Sequence, residues 1–170
     1  MPGSEASSTT RSRSEVKVAF DTSVLVAASL VDHPHRARAL AWLEAARNEE
    51  LEGITTAHAL AEVWATLTAL PVEPRVAPAV AIRVVERLAS HLRTIEVGWS
   101  VYRSALERCT DRGFRSGAVY DALHLAAAES EGANVLLTFN TADFLRLAGE
   151  GEPRIIAPPD PPAVTLDPRR

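Results

Sequence analysis

Along the chain, short continuous apolar runs give way again and again to longer stretches in which apolar residues recur every three or four positions. The first pattern marks a buried strand and the second marks one face of a helix. Val16 to Phe20 predicts a strand that delivers Asp21 at its carboxyl end, followed by a short helix to about Leu30. Pro34, within VDHPH, breaks the pattern, and a second helix runs to about Arg47 with Ala37, Leu40, Ala41, Leu43 and Ala45 on its apolar side, extended by Trp42. Gly53 to Thr56 fits a second strand, and AHALAEVWATLTAL a helix in which Leu60, Val63, Trp64 and Leu67 keep helical spacing. After the proline-rich PVEPRVAP come a helix from Val76 to Ser90, a strand from Leu92 to Val97, and a helix opening at Gly98 and Trp99 that stops near Gly113. The very apolar GAVYDALHLAAAESEG is the next helix, Asn134 to Phe139 the fourth strand, Asn140 onward a last helix, and Arg154 to Ala157 an edge strand.

Strand alternates with helix throughout and no segment repeats. The predicted fold class is therefore α/β, a three-layer α/β/α domain with a mostly parallel central sheet. That domain spans 15–158, between a leader at 1–14 read as disordered and a Pro-rich tail at 159–170.

Composition narrows the setting. A chain of 170 residues can bury a core as one domain without staples, and its single cysteine, Cys109, forms no internal bridge. No apolar run near the start resembles a signal peptide, and nowhere do eighteen uncharged apolar residues follow one another, so a cytoplasmic protein without a membrane span is expected. A net charge of -4 argues against holding nucleic acid by bulk positive charge, but leaves room for an enzyme whose acids gather around cations. Of the 18 basic residues only Lys17 is a lysine, which fits a bias in composition as well as a need for guanidinium forks.

The candidate chemistry lies in isolated acids. Asp21 stands where a parallel sheet presents its ligands, although it or the hydroxyls of Thr22 and Ser23 also suit a helix cap. Glu62 lies in an Ala, Leu, Val and Trp helix, on the wet side or pointing into a polar site, with His58 one turn earlier read as a satisfied structural histidine. Asp121 has apolar neighbours on nearly every side, so it must be protonated, paired or bound to a cation. His124 reads as a packed, hydrogen-bonded core residue, and His33 and His35 as solvated loop residues. Asn140 suits an N-cap and Asp143 the first turn after it. Asp21 and Asn140 fall at strand carboxyl ends, and the helices carrying Glu62 and Asp121 pack at the same edge. Carboxylates gathered there repel unless a divalent cation sits between them, and hard oxygen donors favour Mg²⁺ or Mn²⁺ over zinc. Such a site suits phosphodiester hydrolysis. Arg112 and Arg115, beside Gly113, are candidates for substrate phosphates, or equally solvated surface arginines.

At these residues the chain resembles a known family. AFDTSVLVA with Asp21, AEV with Glu62, YDALHLAAA with Asp121, and LLTFNTADF with Asn140 and Asp143 look like the four motif regions of the PIN-domain ribonucleases, most of all the VapC toxins of bacterial toxin-antitoxin modules. The resemblance runs from about Val16 to Pro158. It implies a Mg²⁺-dependent endoribonuclease that uses a metal-activated water, with Asp21 and Asp121 as metal ligands and Glu62, Asn140 and Asp143 completing the catalytic set. It also implies a VapB-like antitoxin whose C-terminal segment covers the acidic groove, and homodimerisation through helices. In one place the chain departs from the pattern: the fourth region commonly carries Asp where Asn140 stands, so three carboxylates are assured and Asp143 is an open fourth. Two other readings compete. A non-catalytic RNA-binding or interaction domain keeps the fold and loses activity through Asn140. Phosphotransfer through an aspartyl-phosphate needs a second acid where this chain has Ser23.

Overall fold

The computed structural model describes residues 16–151 and 153–160; the expected leader at 1–14 and residues 161–170 of the tail lie outside the described residues. Five strands, β1 (Lys17–Phe20), β2 (Glu52–Thr56), β3 (Arg93–Ile95), β4 (Val135–Leu137) and β5 (Arg154–Ile156), form one sheet in the order β3-β2-β1-β4-β5. Every pairing in it is parallel. The helices between them are α1 (Thr22–Ser29), α2 (Arg36–Arg47), α3 (Ala57–Ala69), α4 (Pro78–His91), α5 (Trp99–Asp111), α6 (Ala118–Ser130) and α7 (Thr141–Leu147).

Alternation along the strands feeds two cores, one on each face of the sheet. Val18 and Phe20 of β1 and Val135 and Leu137 of β4 pack with the buried residues of α1 to α4. Ala19 and Leu136, one position over, pack with α5, α6 and α7. Both faces of the sheet are covered at its centre, which is why β1 and β4 read as nearly continuous apolar runs. Gly53 lets the first layer close on β2: a Cβ there would meet Leu92 Cδ2 at 2.5 Å and Ala46 Cβ at 2.8 Å, so any side chain would push α2 and the end of α4 away.

Strand order decides where a ligand can enter. From β1 the chain works outward through β2 to β3, then crosses back to β4 on the other side of β1. The helix after β1 belongs to one face and the helix after β4 to the other, and a crevice opens between such diverging loops. Asp21 follows β1 directly and Asn140 follows β4 by three residues.

β1 and β5 are each one residue shorter than expected, and β3 and β4 each three residues shorter. Leu92 is not in β3, because its N–H caps α4 through the carbonyl of Leu88 at 3.1 Å. Thr138 and Phe139 are not in β4, because the chain turns at Thr138 to wrap around Asp21. Among the described residues no helix is long and apolar enough to cross a membrane.

Candidate active site

Asp21 is both cap and candidate acid. The residue is 6% exposed, and its Oδ2 accepts the N–H of Ser23 at 3.2 Å, the Ser23 hydroxyl at 2.7 Å and the Thr138 hydroxyl at 2.9 Å. The β4–α7 turn is stitched to the same group, with Phe139 N–H donating to Ser23 Oγ at 3.0 Å and Asn140 N–H to Thr138 Oγ1 at 2.9 Å. All of these bonds to the carboxylate fall on one oxygen. Among the described residues Oδ1 has no hydrogen-bond donor, which leaves it for a ligand.

Glu62 turns away from the wet side and into the crevice. Its Oε2 accepts the Thr22 hydroxyl at 2.7 Å and a bond from Nε2 of buried His124, also at 2.7 Å. Burial alone would raise this carboxyl, but the bonds from His124 and Thr22 outweigh it and hold Glu62 below its ordinary value. His124 shows the converse. Burial works against its charge, yet Glu62, with Asp21 and Asp121 nearby, raises it above the usual imidazole range. Its Nδ1 lies 3.3 Å from Thr56 Oγ1, so the packed, hydrogen-bonded histidine expected from the sequence also anchors Glu62. His58 is not satisfied as expected. Its ring stacks on Tyr120 at 5.1 Å, and its buried Nε2 has no hydrogen bond, the nearest carboxylate oxygen being Glu62 Oε1 at 3.8 Å.

Asp121 has no such support. It sits in the first turn of α6, whose next seven residues are all buried, and it accepts no hydrogen bond from any described residue. Burial, and next the carboxylate of Asp21, push it up to about 6. That mutual repulsion places negative charge on both sides of one space. The space is a cleft of about 470 Å³ lined by Asp21, Thr22, Glu62, Asp121, His124 and Asn140, with His33, His35 and Phe139 at its α1–α2 end.

Asn140 departs from its expected part. It is the N-cap residue of α7 by position, but its side chain makes no capping bond and its backbone lies at φ -99 and ψ 46. The turn is held instead by the bond of its own N–H to Thr138, so the amide is free to line the cleft. Asp143 lines a second, smaller cleft with Asp121, Phe114 and Arg146, and pairs with Arg146 at 3.6 Å. Asp121 is thus shared between two openings. Arg112 and Arg115 are exposed and line neither; Arg112 donates to the carbonyl of Arg146 at 3.1 Å, tying the α5–α6 loop to α7.

Among the described residues no three His, Cys, Asp or Glu side chains form a ready-made cation cage. A cation held by one or two carboxylates and several waters, as Mg²⁺ is held, needs no such cage. The unsupported Asp121 and the open Oδ1 of Asp21 are the two donors that suit it. Sequence reasoning passed over the hydroxyls of Thr22, Ser23 and Thr138 as site builders. The signal was present in two hydroxyl residues directly after Asp21 and a threonine directly after the apolar run of β4.

Comparison with known proteins gives the same architecture. The chain has the fold of VapC20 of Mycobacterium tuberculosis, a sarcin-ricin loop cleaving toxin, at a TM-score of 0.61 and 20% identity over 80% of this chain and 99% of that one. It is similarly close to VapBC of Salmonella typhimurium bound to DNA, at 0.62 and 19% over 84% and 98%, and to FitAcB of Neisseria gonorrhoeae, at 0.60 and 17% over 83% and 97%. No curated protein sequence matches the chain. The family model described as PIN domain matches residues 18–150, from β1 through the end of α7 and past it, and with that span covering every acid of the cleft the chain belongs to the PIN domain family.

Proposed function

We propose that this protein is a Mg²⁺-dependent endoribonuclease and the toxin of a toxin-antitoxin module. The observation that carries the reading is Asp121: a carboxylate pushed up to about 6 by burial and by Asp21, without a hydrogen-bond donor, opening on the cleft that holds Asp21, Glu62 and Asn140. Two acids placed to repel are a cost in the free protein, and a cation between them turns that cost into binding energy. In this reading Asp21, through Oδ1, and Asp121 hold the ion. When bound, Mg²⁺ supplies charge against the phosphate and lowers the pKa of water in the site.

The chain's own residues do the rest. Thr138 and Ser23 fix the Asp21 carboxylate by one oxygen, so the other keeps a single orientation. His124 and Thr22 fix Glu62 and keep it ionised at the cleft, where its charge holds the cation end of the substrate complex. Asn140 offers a neutral oxygen, and Asp143 adds charge behind Asp121 without lining the main cleft. Exposed Arg115 remains the candidate for a substrate phosphate, while Arg112 is committed to the Arg146 carbonyl.

A partner is supported by the surface. Trp99, Tyr102 and Leu106 are exposed along α5 at intervals of three and four, a stripe suited to a second copy of the chain or to an antitoxin. Several of the solved structures with this fold are toxin-antitoxin complexes. Incubation of the purified protein with RNA in Mg²⁺ and in EDTA tests the reading. Metal-dependent products with 5′-phosphate and 3′-hydroxyl ends are expected; 2′,3′-cyclic phosphate ends formed in EDTA would overturn it. RNA binding without cleavage in any divalent metal would favour the non-catalytic domain instead.

A further inference from the structure

The α1–α2 connection brings two imidazoles to the cleft that the acid chemistry does not use. His33 and His35 both line it, half-buried, although a pair of loop histidines around an exposed proline would ordinarily be solvated. The His35 ring lies against Phe139 with centroids 4.6 Å apart and planes 22° from parallel. Phe139 is backed by the guanidinium of Arg38, 5.6 Å from its ring centroid. Arg38 is itself held through Nε by the Pro158 carbonyl at 2.6 Å and by Asp160 at 3.5 Å, so it braces the stack.

His33 is fixed in a different way. Its ring is tilted 57° from that of His35, with 5.7 Å between centroids, so the two imidazoles make an open corner. Its Nδ1 accepts the backbone N–H of His35 at 3.2 Å. A neutral imidazole that accepts at one nitrogen donates at the other. Nε2–H of His33 is therefore a donor, and no described residue takes it.

We infer that His33, His35 and Phe139 form a nucleobase subsite, in which the braced His35 ring is a stacking platform and His33 Nε2–H bonds an acceptor on the base edge. The inference rests on the ribonuclease reading and deepens it by naming the substrate class. The acids engage phosphate, which is the same at every nucleotide, whereas a flat π face and one in-plane donor engage a base. A base can reach such a corner only when it is unpaired and splayed from its neighbours. The substrate is accordingly a single-stranded segment, a loop or an end, and not a continuous duplex. An extended peptide would want apolar side-chain pockets or an open strand edge, neither of which this corner supplies.

The test uses the Asp121→Asn protein, so that no probe is consumed, and two fluorescein-labelled probes of equal charge: an oligomer of eight riboadenylates and the same ribose-phosphate chain without bases. Binding is measured by anisotropy at fixed ionic strength in Mg²⁺. The base-bearing probe is expected to bind roughly tenfold or more tightly than the abasic one, the size of one good stack. Adding His35→Ala should reduce that ratio to less than about threefold with abasic binding unchanged, and adding His35→Phe should restore it. His33→Ala, which leaves the stack in place, should weaken only the base-bearing probe, by about threefold to fivefold. Equal binding of the two probes, a ratio that survives His35→Ala in a folded protein, or equal binding of the adenylate probe before and after pairing with its complement would each overturn the subsite. Its failure is distinguishable from failure of the ribonuclease reading. Base discrimination with no cleavage of any RNA by the unmutated protein keeps the subsite and removes the activity; Mg²⁺-dependent cleavage without base discrimination does the reverse.

Discussion

Glu62 on α3 and Asp121 on α6 line one cleft, and their surroundings differ chiefly in hydrogen-bond donors. Glu62 receives two short bonds, one from Thr22 and one from His124, whose pKa it raises in return. Asp121 receives none, and it faces Asp21. The first acid is held ionised by the protein; the second is held near its titration point by burial and repulsion. A carboxylate with no donor on either oxygen has most to gain from a cation; Asp21 does accept bonds, but on Oδ2 alone, and keeps Oδ1 for the ion in the proposed reading. On this difference we propose that Asp121 is the ligand and Glu62 the support of the site.

The largest expected effect comes from breaking the ligand side. Asp121→Asn and Asp21→Asn should each slow Mg²⁺-dependent cleavage by about a hundredfold or more while circular dichroism stays unchanged, since a ligand charge is lost and the fold is not. Near wild-type rates with the same metal requirement would show that the acids were assigned wrongly.

Breaking the support side should act on stability first. His124→Ala removes one partner of a buried pair and leaves Glu62 facing the cleft without it, at a cost of about 3 kcal/mol in denaturant unfolding. Because the folded pKa of His124 is raised, its share of this stability is full below the unfolded value near 6.5 and is lost as pH rises through the folded value. Glu62, with its folded pKa lowered, contributes above its unfolded value and loses that contribution as pH falls through the folded one. Unfolding curves for the variant that are parallel to wild type at every pH would contradict this.

Asp121 should show the opposite sign. Its folded pKa of about 6 lies above the ordinary 3.8, so the folded state binds the proton more tightly and metal-free stability falls as pH rises from about 4 through 6. Asp121→Asn removes that penalty and should stabilise the metal-free protein by about 1 to 3 kcal/mol at pH 7, with no gain below about pH 4. Thermal melts across this range read the difference directly.

The smallest effect is expected at Asn140. Its side chain makes no capping bond, so Asn140→Asp should leave the helix intact and move unfolding by less than about 0.5 kcal/mol, while lowering the Mg²⁺ concentration for half-maximal cleavage by about threefold. An unchanged Mg²⁺ requirement would remove the fourth motif region from the metal site.

Much of this was legible in the residues themselves. Apolar runs located β1 and β4, because the centre of a sheet covered on both faces needs them, alternation located β3, and the errors fell at the ends. The end of β4 was set by tertiary hydrogen bonds, such as Phe139 N–H to Ser23, and the start of β3 by the last turn of α4, neither of which leaves a mark on local hydropathy. Asp21 and Asp121 stood out as acids in apolar surroundings. The inward turn of Glu62 did not, since its partners Thr22 and His124 lie 40 and 62 residues away. Nor did the corner of His33 and His35, which depends on Phe139 arriving from the far side of the chain.

Calorimetric titration of Mg²⁺ into the wild-type protein, Asp121→Asn and Glu62→Gln, at pH 5.5 and pH 7.5, probes the division between the two acids most directly. The wild type should bind more tightly at pH 7.5 and release part of a proton on binding at pH 5.5, as the ion displaces the proton of Asp121. Asp121→Asn should lose both the tight binding and its pH dependence, and Glu62→Gln should keep both. Equal isotherms for wild type and Asp121→Asn, with loss only in Glu62→Gln, would contradict that division.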